Sequence, residues 1–153
     1  MLYPNDTITS FDPPAPGGLT TISTEAASIN GKGEIAGTST DSNSTIHGFV
    51  RHPDGSFTTF DNPAGIATIV FSINRGGATT GQYIDAPANN NAHGFERFPD
   101  GQFVNFDAPD AGPGFGVNGG TRPSTNNAEG EVAGWYIDAG GLNHGFLWIP
   151  GTP

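Results

Sequence analysis

Three stretches of this chain share one internal spacing, and that spacing limits the fold more than any other feature. They are "SINGKGEIAGTSTD" (Ser28 to Asp41), "SINRGGATTGQYID" (Ser72 to Asp85) and "TNNAEGEVAGWYID" (Thr125 to Asp138). In each, an Asn (Asn30, Asn74, Asn127) precedes a Gly by three residues, and a second Gly (Gly37, Gly81, Gly134) precedes the closing Asp by four. A His-Gly-Phe triplet follows each, at His47, His93 and His144, so the histidines lie 46 and 51 residues apart. A turn follows each His, Asp54-Gly55 and Asp100-Gly101 beginning seven residues on and the variant Pro150-Gly151 six residues on. The pairs Phe11-Asp12, Phe60-Asp61 and Phe106-Asp107, each followed closely by proline, mark the seams. A period of about fifty residues is that of a solenoid or a propeller.

Each unit reads as four short strands separated by Asn/Gly and Asp-Gly turns, which supply the positive φ that tight hairpins need. No stretch keeps a helical apolar period long enough to form a helix. The expectation is an all-β, propeller-like repeat of three four-stranded blades in one domain, residues 1–153. Its parts are an outer strand at 7–12, unit one at 19–61, unit two at 66–107 and unit three at 115–153. Glycines inside the strands, at Gly37, Gly81, Gly134 and at Gly48, Gly94, Gly145, mark bulges or close packing between blades.

Counted in chain order, the strands begin with an outer one, "TITSFD", and end at "HGFLWIPGTP", where unit three lacks its own fourth. Closure by strand exchange would let the first strand complete the last blade and remove two open edges. Three blades are fewer than the roughly four to eight of a closed ring. The expectation is therefore that the strand carrying Ile8 and Phe11 completes the blade carrying Phe146 in a neighbouring chain. Two chains would then make a six-bladed ring, and non-closing contacts a fibre. A third possibility is that the chain is a fragment of a longer repeat protein.

Composition narrows the partners. The net charge is −10, from 15 acidic groups against 5 basic ones, which would repel phosphate backbones and anionic lipid, so nucleic acid is not expected. No window approaches 18 apolar residues, so membrane insertion is not expected either, and the start reads as a chain whose export signal was removed or never existed. There are no cysteines, hence no disulfides or thiolate metal sites.

The stretch from Ser28 to Asp61, "SINGKGEIAGTSTDSNSTIHGFVRHPDGSFTTFD", resembles the bacterial extracellular repeat named after its His-Ala-Phe-type triplet, and the likeness runs through nearly the whole chain. It implies a propeller-like fold and a secreted or surface location, and it brings no catalytic residues. Unit three departs from the pattern at Asn126, where an aliphatic residue is expected, and at Gly151.

The three histidines pose a choice between a shared metal and a repeated structural unit. Zinc needs ligands converging within about 2.0–2.3 Å of one ion, whereas equivalent histidines of successive blades sit apart. The expected reading is structural: Asp41 with His47, Asp85 with His93 and Asp138 with His144, each pair locking one hairpin, with each His at least partly buried. No cofactor is expected, although the acidic surplus leaves room for calcium between loops such as those at Asp54 and Asp100. Asn30, Asn74 and Asn127 read as turn residues. No nucleophile elbow, phosphate loop or paired-carboxylate motif is present, so no enzyme is expected.

Positions that vary between units are the better candidates for binding. Trp135 stands where the other units have Thr38 and Gln82, Trp148 where they have Arg51 and Arg97, and Tyr83 and Tyr136 where unit one has Ser39. Aromatic faces beside Asn and Asp suit a sugar ring. Two functions follow: an assembly protein whose business is the head-to-tail contact, and a glycan-binding propeller with sites between blades. Packing between blades is the plain alternative for both tryptophans.

Overall fold

The computed structural model describes residues 7–85, 90–114 and 119–151, and the chain is all-β, built of three antiparallel sheets. Sheet one holds β1 (Thr21–Ile29), β2 (Ile35–Asp41), β3 (Ile46–Arg51) and β4 (Phe57–Phe60) in that order. Sheet two repeats it with β5 (Ala67–Ile73), β6 (Thr79–Ile84), β7 (Ala92–Arg97) and β8 (Phe103–Phe106). Sheet three has β9 (Gly120–Asn126), β10 (Val132–Ile137) and β11 (Asn143–Trp148), and β11 is its free edge. The start expected for unit three, residue 115, lies outside the described residues.

The repeated spacing is explained by turns and bulges. In the first turn Asn30 Oδ1 accepts the N–H groups of Lys32 and Glu34 at 2.9 and 3.1 Å, and Gly33 closes the turn at φ 80°. Asn127 does the same for Glu129 and Glu131 at 3.1 and 2.9 Å. The first strand of each sheet then skips one residue against the second, at Ala27, Phe71 and Ser124. Opposite those bulges stand Gly37, Gly81 and Gly134, where a Cβ would run into the carbonyl oxygens of Glu25, Ile69 and Arg122. The aliphatic-Gly pair of the repeat is thus a steric requirement of the bulge.

Consecutive sheets pack face to face, β5 lying against β1, β2 and β3, and β9 against β5, β6 and β7. The contact between sheets one and two is apolar: Ala36, Val50, Val70, Ile73, Tyr83 and Phe95 form the core, flanked by Phe60 and Phe103. Between sheets two and three the corresponding places are polar. Thr80, Glu96 and Asn126 stand where Ala36, Val50 and Ile73 stand one unit earlier, and all three are buried. At the two outer faces the same places hold Leu147 on β11 and Ile29 on β1, exposed at 62% and 65%.

Candidate functional site

Residues 7–12 pair with no described strand; 7–10 are exposed, and Phe11 is the residue that packs on sheet one. Its anchor is Phe11, whose ring centroid lies 6.2 Å from Phe49 and 6.0 Å from Phe57, with the Arg51 guanidinium 5.1 Å above it. Thr21 Oγ1 donates to the Pro13 carbonyl at 2.6 Å and Thr24 Oγ1 to Asp12 at 2.7 Å. Phe60, at the end of β4, meets sheet two in the same way, 6.1 Å from Phe103 and under Arg97 at 4.3 Å. Phe106, at the end of β8, meets sheet three 6.1 Å from Phe146 and stacked on Trp148 at 4.5 Å. Phe11 therefore stands to sheet one as the last residue of a preceding sheet's outer strand would.

The complementary half lies on β11. Gly48 pairs with Phe60 and Gly94 with Phe106, and a Cβ on either glycine would lie 2.5 or 2.6 Å from the partner ring. Among the described residues, nothing comes nearer to a Cβ on the equivalent Gly145 than the Gly134 carbonyl at 3.9 Å. Ile8 is fully exposed.

The histidines tell the same story. His47 is 5% exposed and held at both nitrogens, Nδ1 at 2.7 Å from Asp61 and Nε2 at 3.2 Å from Asp41. His93 has its Nδ1 2.8 Å from Asp107, while Asp85 is 3.6 Å from Nε2, beyond hydrogen-bond reach. The expected Asp85–His93 bond is therefore an ion-pair contact only, because Asp85 turns to Asn91, accepting its N–H at 2.8 Å and its Nδ2 at 3.1 Å. His144 keeps Asp138 at 3.2 Å on Nε2, and among the described residues no carboxylate meets its Nδ1. Its expected burial is not met: the residue is exposed, because β11 has no strand beyond it. Asp61 and Asp107, the shorter contacts, are partners that spacing within the hairpin did not reveal. Among the described residues no group of three or more His, Asp or Glu is placed to hold a metal ion.

Burial pulls the His47 pKa down, but hydrogen bonds and charge from Asp61 and Asp41 outweigh it and raise it above the ordinary 6.5. Asp41 is held below its ordinary 3.8 chiefly by the Thr45 N–H, against burial and with help from His47. The raised His contributes stability that is complete below pH 6.5 and lost as pH climbs through its folded pKa; the lowered Asp contributes stability complete above 3.8 and lost on further acidification. The difference in Tm between wild type and His47→Gln is thus expected to be widest between pH 3.8 and 6.5. Thermal scans in which that difference is flat with pH would contradict the pairing.

An asparagine relay links the turns. Asn30 Nδ2 donates to the Asn74 carbonyl at 3.0 Å, and Asn74 Nδ2 to the Asn127 carbonyl at 2.8 Å. Asn127 gives one amide hydrogen to Glu131 at 2.7 Å, as Asn30 gives one to Glu34 at 2.7 Å.

The four aromatic candidates do not form one face. Tyr83 is buried at 8% and stacks on His93 at 5.0 Å, and Tyr136 stacks on His144 at 5.1 Å. Trp148 is taken up by Phe106, which is the plain packing role. Trp135 is 38% exposed, lies 4.7 Å under the Arg122 guanidinium, and lines an open cleft of about 490 Å³ with the bulge residues Ala27, Phe71 and Ser124. At Asp54 and Asp100 the carboxylates accept the N–H of Ser56 at 2.9 Å and of Gln102 at 3.0 Å, as turn residues do.

No family model, curated protein or solved structure matches this chain. Its function is therefore argued from the edge of sheet three and the segment that mirrors it.

Proposed function

We propose that this chain is a non-catalytic, propeller-like repeat that assembles head to tail. Residues 7–12 of one copy complete sheet three of the next, in a two-chain, six-bladed ring or in a fibre where the rotation fails to close. One observation carries the reading: Phe11 is docked on sheet one in the manner of Phe60 and Phe106, while Gly145 offers the uncovered seat that Gly48 and Gly94 offer to those two rings. The register carried over from β3–β4 and β7–β8 pairs Gly145 with Phe11, Phe146 with Ser10, Leu147 with Thr9 and Trp148 with Ile8. It brings Asp12 to His144 Nδ1, as Asp61 and Asp107 meet His47 and His93. The relay would continue from Asn127 Nδ2 to the neighbour's Asn30 carbonyl, and Leu147 would cover Ile29.

The test is absolute mass by light scattering over a range of concentrations. A sharp two-chain species supports the ring, very large polydisperse particles the fibre, and a monomer at every concentration refutes the proposal. On the motif resemblance alone, we take such an assembly to work outside the cell.

A second reading, carbohydrate binding, is favoured by Trp135 in its cleft. Thr38, its equivalent in unit one, is covered by β5, whose Val70 N–H it accepts at 3.0 Å. Head-to-tail contact would cover Trp135 likewise, so sugar binding at this position belongs to the unassembled chain.

A further inference from the structure

The turns joining β1 to β2, β5 to β6 and β9 to β10 lie side by side, and the space between the first two differs from that between the last two in four linked positions. Between the first pair Glu34 carries a carboxylate across to the second turn, where a Cβ on Gly77 would lie 3.4 Å from its Oε2. One side-chain donor reaches that carboxylate within hydrogen-bond distance, and two basic side chains lie beside it. Asn30 Nδ2 is 2.7 Å from Oε2, the His52 ring lies 3.7 Å from Oε1, and the Lys32 chain crosses the gap so that Nζ donates to the Gly76 carbonyl at 3.4 Å.

Between the second and third turns a carboxylate is again present, but from another strand. Ala78 replaces Glu34, and Glu96 of β7, at the place of Val50, brings its Oε2 to the same distance, 3.4 Å, from a Cβ on Gly130. Both basic side chains are gone, for Gly76 replaces Lys32 and Phe98 replaces His52. What is left is a pocket of about 190 Å³, against about 130 Å³ between the first pair, with walls of Ala78, Phe98 and Pro99, Glu129 at the rim and Glu96 lining its floor. Glu96 is 0% exposed; among the described residues its Oε1 has only Asn126 Nδ2 at 3.5 Å, and its Oε2 has no partner. Burial pushes its pKa up, against the Asn126 contact, as expected of a carboxylate without a counter-charge.

We propose that this pocket binds a primary alkylammonium group, seated against Glu96 in the space whose counterpart one unit earlier is lined by Lys32. An ammonium brings three donors and one positive charge to an acceptor that lacks both, and apolar walls suit a short methylene chain. The site lies within one chain and does not depend on head-to-tail assembly.

Isothermal titration at pH 7 with butylamine, and with butanol as the uncharged control, tests the proposal directly. Butylamine is expected to bind once per chain and butanol not at all. Glu96→Gln is expected to weaken binding by about tenfold or more, the worth of a charge-assisted bond. Gly76→Lys is expected to abolish it and to raise Tm, because the chain then supplies its own ammonium; the first turn already accommodates lysine at that position. Nα-acetyl-lysine amide, titrated in parallel, identifies the natural source: tighter binding than butylamine points to a lysyl side chain of a protein partner, weaker binding to a free amine. No binding of either amine by the wild type overturns the inference, as does equal binding by Glu96→Gln. Should Glu96→Gln fail to fold, unchanged butylamine binding by Gly76→Lys overturns it.

Discussion

Leu147→Lys is expected to leave the chain monomeric, Ile29→Glu is expected to do the same, and an equimolar mixture of the two is expected to recover the wild-type mass. Val50 and Ile73 meet in the core between sheets one and two, each 5% exposed, and head-to-tail contact puts Leu147 against Ile29 in the same relation. A lysine there would be buried against an aliphatic neighbour, with a cost of about 3 kcal/mol per contact, or a weakening of about 100-fold. In the mixture one junction is wild type and the other joins Lys to Glu, so the unpaired charge disappears. Light scattering on the three samples decides. Recovery on mixing requires the two residues to face each other across copies, which a general loss of folding could not imitate. Two single variants that assemble like wild type would remove the proposed interface.

The second large effect separates two histidines that the sequence writes alike. His47→Ala is expected to lower stability by about 2 kcal/mol, roughly 4–8 °C in Tm, because it strips two carboxylates of their donor inside a finished sheet. His144→Ala is expected to cost the dilute, unassembled chain under about 1 kcal/mol, since its one carboxylate contact, to Asp138, is partly open to solvent. At concentrations where the chain assembles, the same variant is expected to lose mass, through the missing contact to Asp12 of the next copy. Thermal unfolding at high dilution measures the first difference and light scattering the second. Equal losses for both variants at high dilution would mean that the open edge of β11 does not matter to its histidine.

Much of the fold was legible because the repeat is written in local chemistry. Asn and Gly at fixed separation make a turn wherever they occur, and the Gly opposite each bulge is demanded by a carbonyl a few ångströms away on the neighbouring strand. The Asp–His pairs of the first and third hairpins were legible for the same reason, both partners being six residues apart. The second pair is eight residues apart, and the longer connection lets Asp85 find Asn91 first. Asp61 and Asp107 were missed although the signal was there: each lies 14 residues after its histidine, in the recurring Phe-Asp seam. Seeing it required knowing that the outer strand returns antiparallel beside the third, so that its end comes back to the start of the His-Gly-Phe strand.

The aromatic candidates were harder, since a change of residue type between units says that an environment differs without saying how. Trp148 takes over Phe106 the place that Arg51 and Arg97 take over Phe11 and Phe60, so its change of type marks no new site. Glu96 drew no notice in the sequence, one charged residue in a strand, until its neighbours across the sheets were known to be Asn126 and Gly130. The succession of strands and turns within the three sheets was settled by the sequence alone, because it depends on residues close together in the chain; the strand expected at 7–12 was not, for those residues pair with no described strand. Which faces meet, which histidine is clamped twice, and where a carboxylate is buried without its cation were decided only by the tertiary structure. Contacts between sheets join residues far apart in the chain, the histidine clamp needs the outer strand to return beside the third, and the energies depend on what lies opposite, which a linear pattern does not record.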